Sequence, residues 1–411
     1  MKILIIGNGG REHAIGWKIK QDNPEAELFF SRGNGGTEQI GINLSLDTVE
    51  ELADFAEEEE IDMTFVGPED WLMKGVVDTF QERNLTIFGP GKEAALLEGS
   101  KEFAKDFMLK YGVKTAKYKT FNNYTEANEY AKEQKYPLVI KADGLAAGKG
   151  VVICYDKFEA EKALDEMLNQ KVFGAAGNHV VIEEFLEGFE TSILSIFNGN
   201  EITPFISAKD HKKIGEGETG LNTGGMGVIA PNPYFTEEHF KAFEKDILAP
   251  TLKGLITENL SFAGIIFFGL MITKDGVYLL EYNMRMGDPE TQAVLPLLKN
   301  NLTDVLFAAL KGESVELRWR DQHSVCVVVA SGGYPLNYET GFKITGTDKV
   351  TCPCFVAGAH LKEDSLYTSG GRVLNIVGTG DTLEQARTIA YDNVKKINFD
   401  YGYFRHDIGK I

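Results

Sequence analysis

The first hundred residues switch repeatedly between two hydrophobic periods, and that alternation limits the possible folds more than any other feature of the chain. Short apolar runs at 3–6, 28–30 and 63–66 are separated by helical patterns, one beginning near Glu12 and one spanning 50–59. Unbroken apolar runs of this length suit strands buried on both faces, and the intervening helices supply the crossovers of a parallel sheet. The sequence therefore predicts an N-terminal parallel α/β domain over residues 1–100. Gly89-Pro90-Gly91 closes it, and a helical segment at 93–111 leads away.

Between 118 and 189 the order becomes strand, helix, strand, glycine loop, strand, helix, strand. That order predicts a small α+β lid over 119–190. Strands at 192–197, 264–272 and 277–282 and long helices at 237–258 and 291–310 are assigned, with 101–118, to a central domain that continues over 191–320. Within it, 207–227 reads as a long polar, glycine-rich loop, and structureless loops of that length usually serve function. After Trp319, β-rich runs at 325–330 and 372–377 and a helix at 383–396 predict a β-rich α+β C-terminal domain over 321–411. A chain of 411 residues is long enough for several such units around a cleft.

The formal net charge of -19 argues against a nucleic-acid partner, since phosphate-backbone binding needs a basic face and the Lys and Arg residues are scattered. Small-molecule partners are expected instead. The longest apolar stretch, 262–272, is interrupted by glycine and too short to span a membrane, and the opening run is too short for a signal peptide. The close pair Cys352 and Cys354 lacks a second pair at zinc-site spacing, so the four cysteines read as unpaired thiols and the cytoplasm as the location. Oligomeric state stays open, a monomer being compatible with everything in the sequence.

Five segments could carry chemistry. Gly7-Asn8-Gly9-Gly10-Arg11-Glu12-His13 lies between a strand and a helix, where backbone N–H groups can approach a phosphate. No acidic residue ends the second strand and the glycine spacing is not G-x-G-x-x-G, so phosphate binding and a plain tight turn both remain open. The stretch from Lys141 to Val151 suggests a Walker A loop superficially. However, Gly150 follows Lys149 where Ser or Thr is required, and the chain returns to a β-run. What remains is a glycine-rich hairpin able to fold over a triphosphate, with Gly148, Lys149 and Gly150 above and Lys141 below; a plain surface hairpin would not need two lysines.

The run 180–190 leaves the lid as a strand. Its end, Glu184 to Leu186, could pair with an adenine edge and Glu190 with ribose hydroxyls, although an acidic strand end is more often merely solvated. In 277–285, strand period places Glu281, Asn283 and Arg285 on one face. Carboxylate and amide oxygens there suit a hard cation such as Mg²⁺, and Arg285 suits a carboxylate or acyl phosphate. The strand period puts apolar Val277 and Leu279 on that same face, which counts against a simple solvent-facing edge. Finally, 209–227 offers charged groups and flexible backbone for substrate recognition. His211, beside lysines, reads as a surface residue rather than a catalytic base.

Together these motifs resemble the ATP-grasp superfamily, and more closely its glycinamide ribonucleotide synthetases, the phosphoribosylamine-glycine ligases. The likeness runs the whole chain: GNGGREHA at 7–14, VGPE at 66–69, IFGP at 87–90, LEGSKEFAKDFM at 97–108, VIKADGLAAGKGV at 139–151, TGLNTGGMG at 219–227, GDPETQ at 287–292 and GGRVL at 370–374. The resemblance implies a pre-ATP-grasp N-terminal domain and ATP held between the lid and the central domain. Lys105, Lys141 and Lys149 would serve phosphate, Glu183, Glu184, Phe185 and Leu186 adenine, and Glu190 ribose. It further implies Glu281 and Asn283 as Mg²⁺ or Mn²⁺ ligands and Arg285, with Lys141 and Lys149, as the catalytic cations. Gly9, Gly10, Arg11 and Glu69 would face phosphoribosylamine. Asp210, Asn222, Thr223, Gly224 and Gly225, with Asp288 and Pro289, fall to substrate binding.

The implied reaction couples glycine to phosphoribosylamine through glycyl phosphate, consuming ATP. Departures from the family pattern are the missing second metal carboxylate in 268–271, Trp71 where proline is usual, and Met284, Met286 and His406. Trp71 could alter the shape of the amine pocket. Rival readings are an ATP-grasp ligase for other substrates, a dinucleotide-dependent oxidoreductase, which would leave the lid hairpin idle, and a non-catalytic nucleotide-binding regulator, which would lack metal ligands or substrate clamp.

Overall fold

A computed structural model describes residues 1–144 and 150–410, so Gly148 and Lys149 lie outside the described residues. The N-terminal strands Lys2–Gly7, Glu27–Arg32, Ile42–Leu44, Met63–Val66 and Ile87–Phe88 form one parallel sheet with Lys2–Gly7 at its centre. Ile3 and Ile5 point into one apolar cluster, Leu4 and Ile6 into another, and all four are wholly buried. The absence of polar alternation is thus the mark of a strand covered on both faces.

The lid sheet is antiparallel throughout, in the order Tyr118–Phe121, Val180–Glu184, Leu138–Ala142, Val151–Cys154. Its helices Tyr124–Glu133 and Lys157–Leu164 contribute Ala127, Ala131, Ala160 and Ala163 to a core of the lid's own.

In the central sheet, Gly264–Thr273 pairs with both Phe189–Phe197 and Gly276–Asn283. The expected helix over 291–310 is two helices, Glu290–Val294 and Leu302–Leu310. Asn301 caps the second by accepting from the N–H groups of Thr303 and Asp304, and a residue capping a new helix ends any continuous one.

The stretch 207–227 is not a structureless loop. Lys209–Asp210 and Gly227–Ala230 pair with each other and extend the C-terminal sheet through His323–Ser331, Arg372–Gly380 and Cys354–Val356. Between them lies a hairpin, Lys213–Gly215 with Thr219–Asn222. The chain's last residues hold that hairpin. Arg405, 1 % exposed, donates to the Lys213 carbonyl at 2.9 Å and to Glu218 at 2.8 Å, and Gly217 N–H donates to Asp407 at 2.8 Å. Backbone groups in a long segment must find partners somewhere, and here the C-terminal unit supplies them.

The same unit closes on the N-terminal domain. Val356 N–H donates to His13 Nδ1 at 2.9 Å and Asn34 donates to the Val356 carbonyl at 2.9 Å.

Candidate active site

A cavity of about 690 Å³ opens where the helix Lys101–Tyr111, the lid, the strand Gly276–Asn283 and the C-terminal unit meet. On its lid side the buried Glu183 sits 2.9 Å from Lys141 Nζ and 3.1 Å from Lys105 Nζ, the latter an ionic contact rather than an aligned hydrogen bond. Lys105 Nζ donates instead to Thr115 Oγ1 at 2.7 Å. Burial pushes Glu183 up, but the charges of Lys141 and Lys105 outweigh it and hold the carboxyl below its ordinary range. Burial pushes Lys105 down to about 8. Two cations on one anion leave a net positive wall facing the cavity, as a polyphosphate requires.

The same cavity is lined by Glu281 and Asn283, placed there by an irregularity in the strand. Gly269 pairs with Glu281 but Leu270 pairs with Leu279, so Leu280 is an extra residue in the ladder. Val277, Leu279 and Tyr282 therefore face the apolar core, while Glu281 and Asn283 face the cavity. The expected sharing of one face with Val277 and Leu279 is thus overturned, although the convergence of Glu281 and Asn283 stands.

Glu281 accepts no hydrogen bond among the described residues. Burial raises its pKa, but Lys212, Lys141, Lys101 and Arg285 prevail, so it stays ionised below the usual range. A Cβ at Gly269 would stand 3.2 Å from its Cγ, which leaves little room for a second carboxylate there. One carboxylate without a hydrogen-bond partner among the described residues and one amide oxygen, on the cavity lined by Lys105 and Lys141, fit a hard divalent cation that takes its remaining oxygens from phosphate and water.

At the end of that strand Arg285 is held by acids. Nε lies 3.1 Å from Glu69 Oε2 and Nη2 lies 2.9 Å from Glu98 Oε1, while Asn283 Oδ1 and the Met286 carbonyl accept at 3.3 and 3.4 Å. Glu98 also accepts from Met284 N–H at 2.6 Å, and burial pushes its carboxyl up to about 7.

A second acidic pair, Asp210 and Glu290, lines the same cavity beside Lys212 and Arg372. Burial raises both, the charge of Glu290 adds to the cost at Asp210, and Asp210 Oδ1 has no hydrogen-bond partner among the described residues.

Of the remaining expected residues, Arg11, Gly150, Asn222, Thr223, Gly224 and Asp288 line this cavity. Gly9 instead lines an adjoining cavity of about 340 Å³ that shares Asp288, Tyr334 and Arg372 with the first. Gly10 lines neither. A Cβ on it would meet Asn375 at 2.4 Å and Gln292 at 2.7 Å, so its glycine serves close packing between domains. Gly225, at φ +111°, and buried Pro289 also stand back from the cavity, in contact with each other.

At the lid exit, Glu184 is exposed and accepts from Lys117 N–H at 2.9 Å. Phe185 and Leu186 follow the strand, and among the described residues their N–H groups have no partner, an edge suited to a heterocycle. Glu190 is 2.6 Å from Lys212 Nζ.

Two expectations fail outright. His211 is buried, not on the surface; its Nδ1 lies 3.1 Å from the Gly227 carbonyl, and burial pushes its pKa down to about 4. Trp71 lies in the apolar core, 3 % exposed, with Lys74 Nζ over its ring. Two positions along a helix from Glu69 is more than half a turn, which points it away from the amine pocket.

Sequence reasoning missed Glu98, Lys101, Lys212, Glu290, Arg372 and Tyr334, all on the cavity wall. Lys212 lies inside the segment singled out for substrate recognition, and Glu98, Lys101, Glu290 and Arg372 lie inside the family-like stretches 97–108, 287–292 and 370–374 without having been given a role; Tyr334 alone lies outside every quoted segment.

Sequence models described as phosphoribosylglycinamide synthetase match this chain in three pieces: the N domain over 1–98, the ATP-grasp (A) domain over 99–291 and the C domain over 324–411. The phosphoribosylamine–glycine ligase of Fusobacterium nucleatum is 55% identical over 420 residues, covering 100% of this chain and 99% of its own. That of Clostridium acetobutylicum is 54% identical with full coverage of both, 100% each. The crystal structure of the ligase of the same name from Thermotoga maritima superposes with a TM-score of 0.89 at 35% identity, covering 99% of this chain and 100% of that one. A biotin carboxylase from Campylobacter jejuni shares the fold alone, with a TM-score of 0.75 at 15% identity over 98% of this chain and 92% of its own.

Proposed function

The chain belongs to the phosphoribosylglycinamide synthetase family of ATP-grasp ligases, and from that premise we propose that it joins glycine to 5-phosphoribosylamine, a step of purine biosynthesis. The products are glycinamide ribonucleotide, ADP and phosphate. The observation that carries this reading is the gathering of Lys105, Lys141, Glu281, Asn283 and Arg285, far apart in sequence, on the wall of one cavity. A second cavity adjoining the first gives the phosphoribosyl group somewhere to lie.

In this reading Lys105 and Lys141 hold phosphate oxygens, and the backbone at Phe185 and Leu186 takes the adenine edge. Glu281 and Asn283 hold a divalent cation, Mg²⁺ or Mn²⁺, which when bound offsets phosphate charge and polarises the γ-phosphoryl group. Glycine's carboxylate, oriented by Arg285, attacks the γ-phosphate. The amine of phosphoribosylamine then displaces phosphate from glycyl phosphate. Catalysis rests on positioning and on charge neutralisation, with no covalent link to the enzyme. Lid and C-terminal walls keep water from the acyl phosphate. Among the described residues no helix is long and apolar enough to cross a membrane, and four unpaired cysteines suit the cytoplasm.

ADP release from Mg²⁺-ATP is expected only when glycine and freshly generated phosphoribosylamine are both present. Equal release with either substrate omitted would overturn the assignment.

A further inference from the structure

We propose that Glu69 takes the proton shed by the incoming amine, and that it is freed for this task when Arg285 engages the anionic half of the reaction. The inference rests on the ligase reading above and adds the identity of the proton acceptor.

A guanidinium has five N–H donors. In Arg285 the Nε/Nη2 side, which would otherwise grip a carboxylate or acyl phosphate, is occupied by two carboxylates of unequal standing. Glu98 is fixed at both oxygens, one by Met284 N–H at 2.6 Å and one by Nη2 at 2.9 Å, and its side chain is 6 % exposed. Glu69 is 31 % exposed, and beyond its own backbone N–H its side chain has one hydrogen-bond partner among the described residues, Arg285 Nε at 3.1 Å. An anion arriving at Arg285 therefore displaces Glu69 and leaves Glu98 in place as the anchor.

Displacement also changes what Glu69 can do. Burial alone would raise its affinity for a proton, but Arg285 and Arg11 outweigh burial and hold the carboxyl below its ordinary range. Once a bound anion neutralises Arg285, burial regains its weight and the carboxylate becomes a better base. Glu69 then lines the same cavity as Arg285 and feels the charge of Arg11, a second residue of that wall.

The amine nitrogen attacks the acyl carbon of glycyl phosphate. A carbon–nitrogen bond forms, the bond from that carbon to the phosphate oxygen breaks, phosphate leaves with the electron pair, and the proton lost by nitrogen passes to a Glu69 oxygen.

The test compares two nucleophiles on the full-length enzyme with Mg²⁺-ATP and glycine. Phosphoribosylamine is the first. Hydroxylamine is the second, a small nucleophile that is uncharged near neutral pH and attacks acyl phosphates without a base to help it. Glu69→Gln keeps the shape but cannot accept a proton, so kcat for ligation should fall about a hundredfold with the KM for phosphoribosylamine little changed, while glycine hydroxamate formation continues; a rise in that KM with kcat retained would make Glu69 a binding residue and overturn the proposal. Glu98→Gln, which loosens the anchor of Arg285, should depress both. Equal loss of both activities in Glu69→Gln, or loss of neither, overturns the role of Glu69. If the wild-type enzyme forms neither product, the ligase reading itself falls and this inference with it.

Discussion

Glu281 keeps its charge in a partly buried site without a hydrogen-bond partner among the described residues, held ionised by surrounding cations. An arrangement that isolates a carboxylate is costly unless something positive completes it. Replacing Glu281 with Gln should lower turnover about a hundredfold and raise the concentration of Mg²⁺ needed for half-maximal rate. A Mg²⁺ titration of the variant that overlays the wild-type curve would remove Glu281 from the metal site. Residues of this kind were legible in the sequence because Glu281, Asn283 and Arg285 follow one another at strand period. The role of Glu98 was not, although it lies in the quoted stretch 97–108, because its partners sit on a different element 186 residues away and no local spacing pairs it with Arg285.

At the scale of elements, local period was a good guide wherever one continuous hydrogen-bond ladder decided the outcome, as in the parallel strands. It failed where a single extra residue intervened. Leu280 reverses the in–out alternation of its strand, so the correct grouping of Glu281 with Asn283 was reached beside an incorrect grouping with Val277 and Leu279. The 207–227 segment was illegible for another reason: its strands are short and polar, and their partners come from the C-terminal unit. The tail that pins its hairpin makes a prediction. Arg405→Met leaves Asp407 and half-exposed Glu218 without their cation, and should lower unfolding free energy by roughly 3 kcal/mol, the low end of the range because Glu218 is 52 % exposed. Urea denaturation measures the loss, and amide exchange in Lys213–Asn222 should accelerate with it. A loss below about 0.5 kcal/mol, the range of ordinary surface substitutions, would mean the hairpin holds itself.

For the whole molecule, the junction of first and last domains depends on an uncharged imidazole. Burial pushes His13 down to about 4 from its ordinary 6.5, so as pH falls through that interval the unfolded chain binds the proton first. Its contribution is complete above about pH 6.5, shrinks between 6.5 and 4, and levels off below, a loss of up to about 3 kcal/mol. Glu98, raised to about 7, acts in the opposite sense over part of that range, so wild type alone is a blurred readout. His13→Asn keeps an acceptor for Val356 N–H but cannot charge, and the difference in stability between it and wild type should shrink or reverse in its favour as pH drops from 7 to 5. A constant difference would show that His13 does not titrate across the junction. The shared C-terminal sheet also limits where the chain can be divided. Because Gly227–Ala230 is stitched between Lys209–Asp210 and His323–Ser331, no cut near residue 320 yields two intact pieces. A chain truncated there would leave a raw sheet edge open to aggregation.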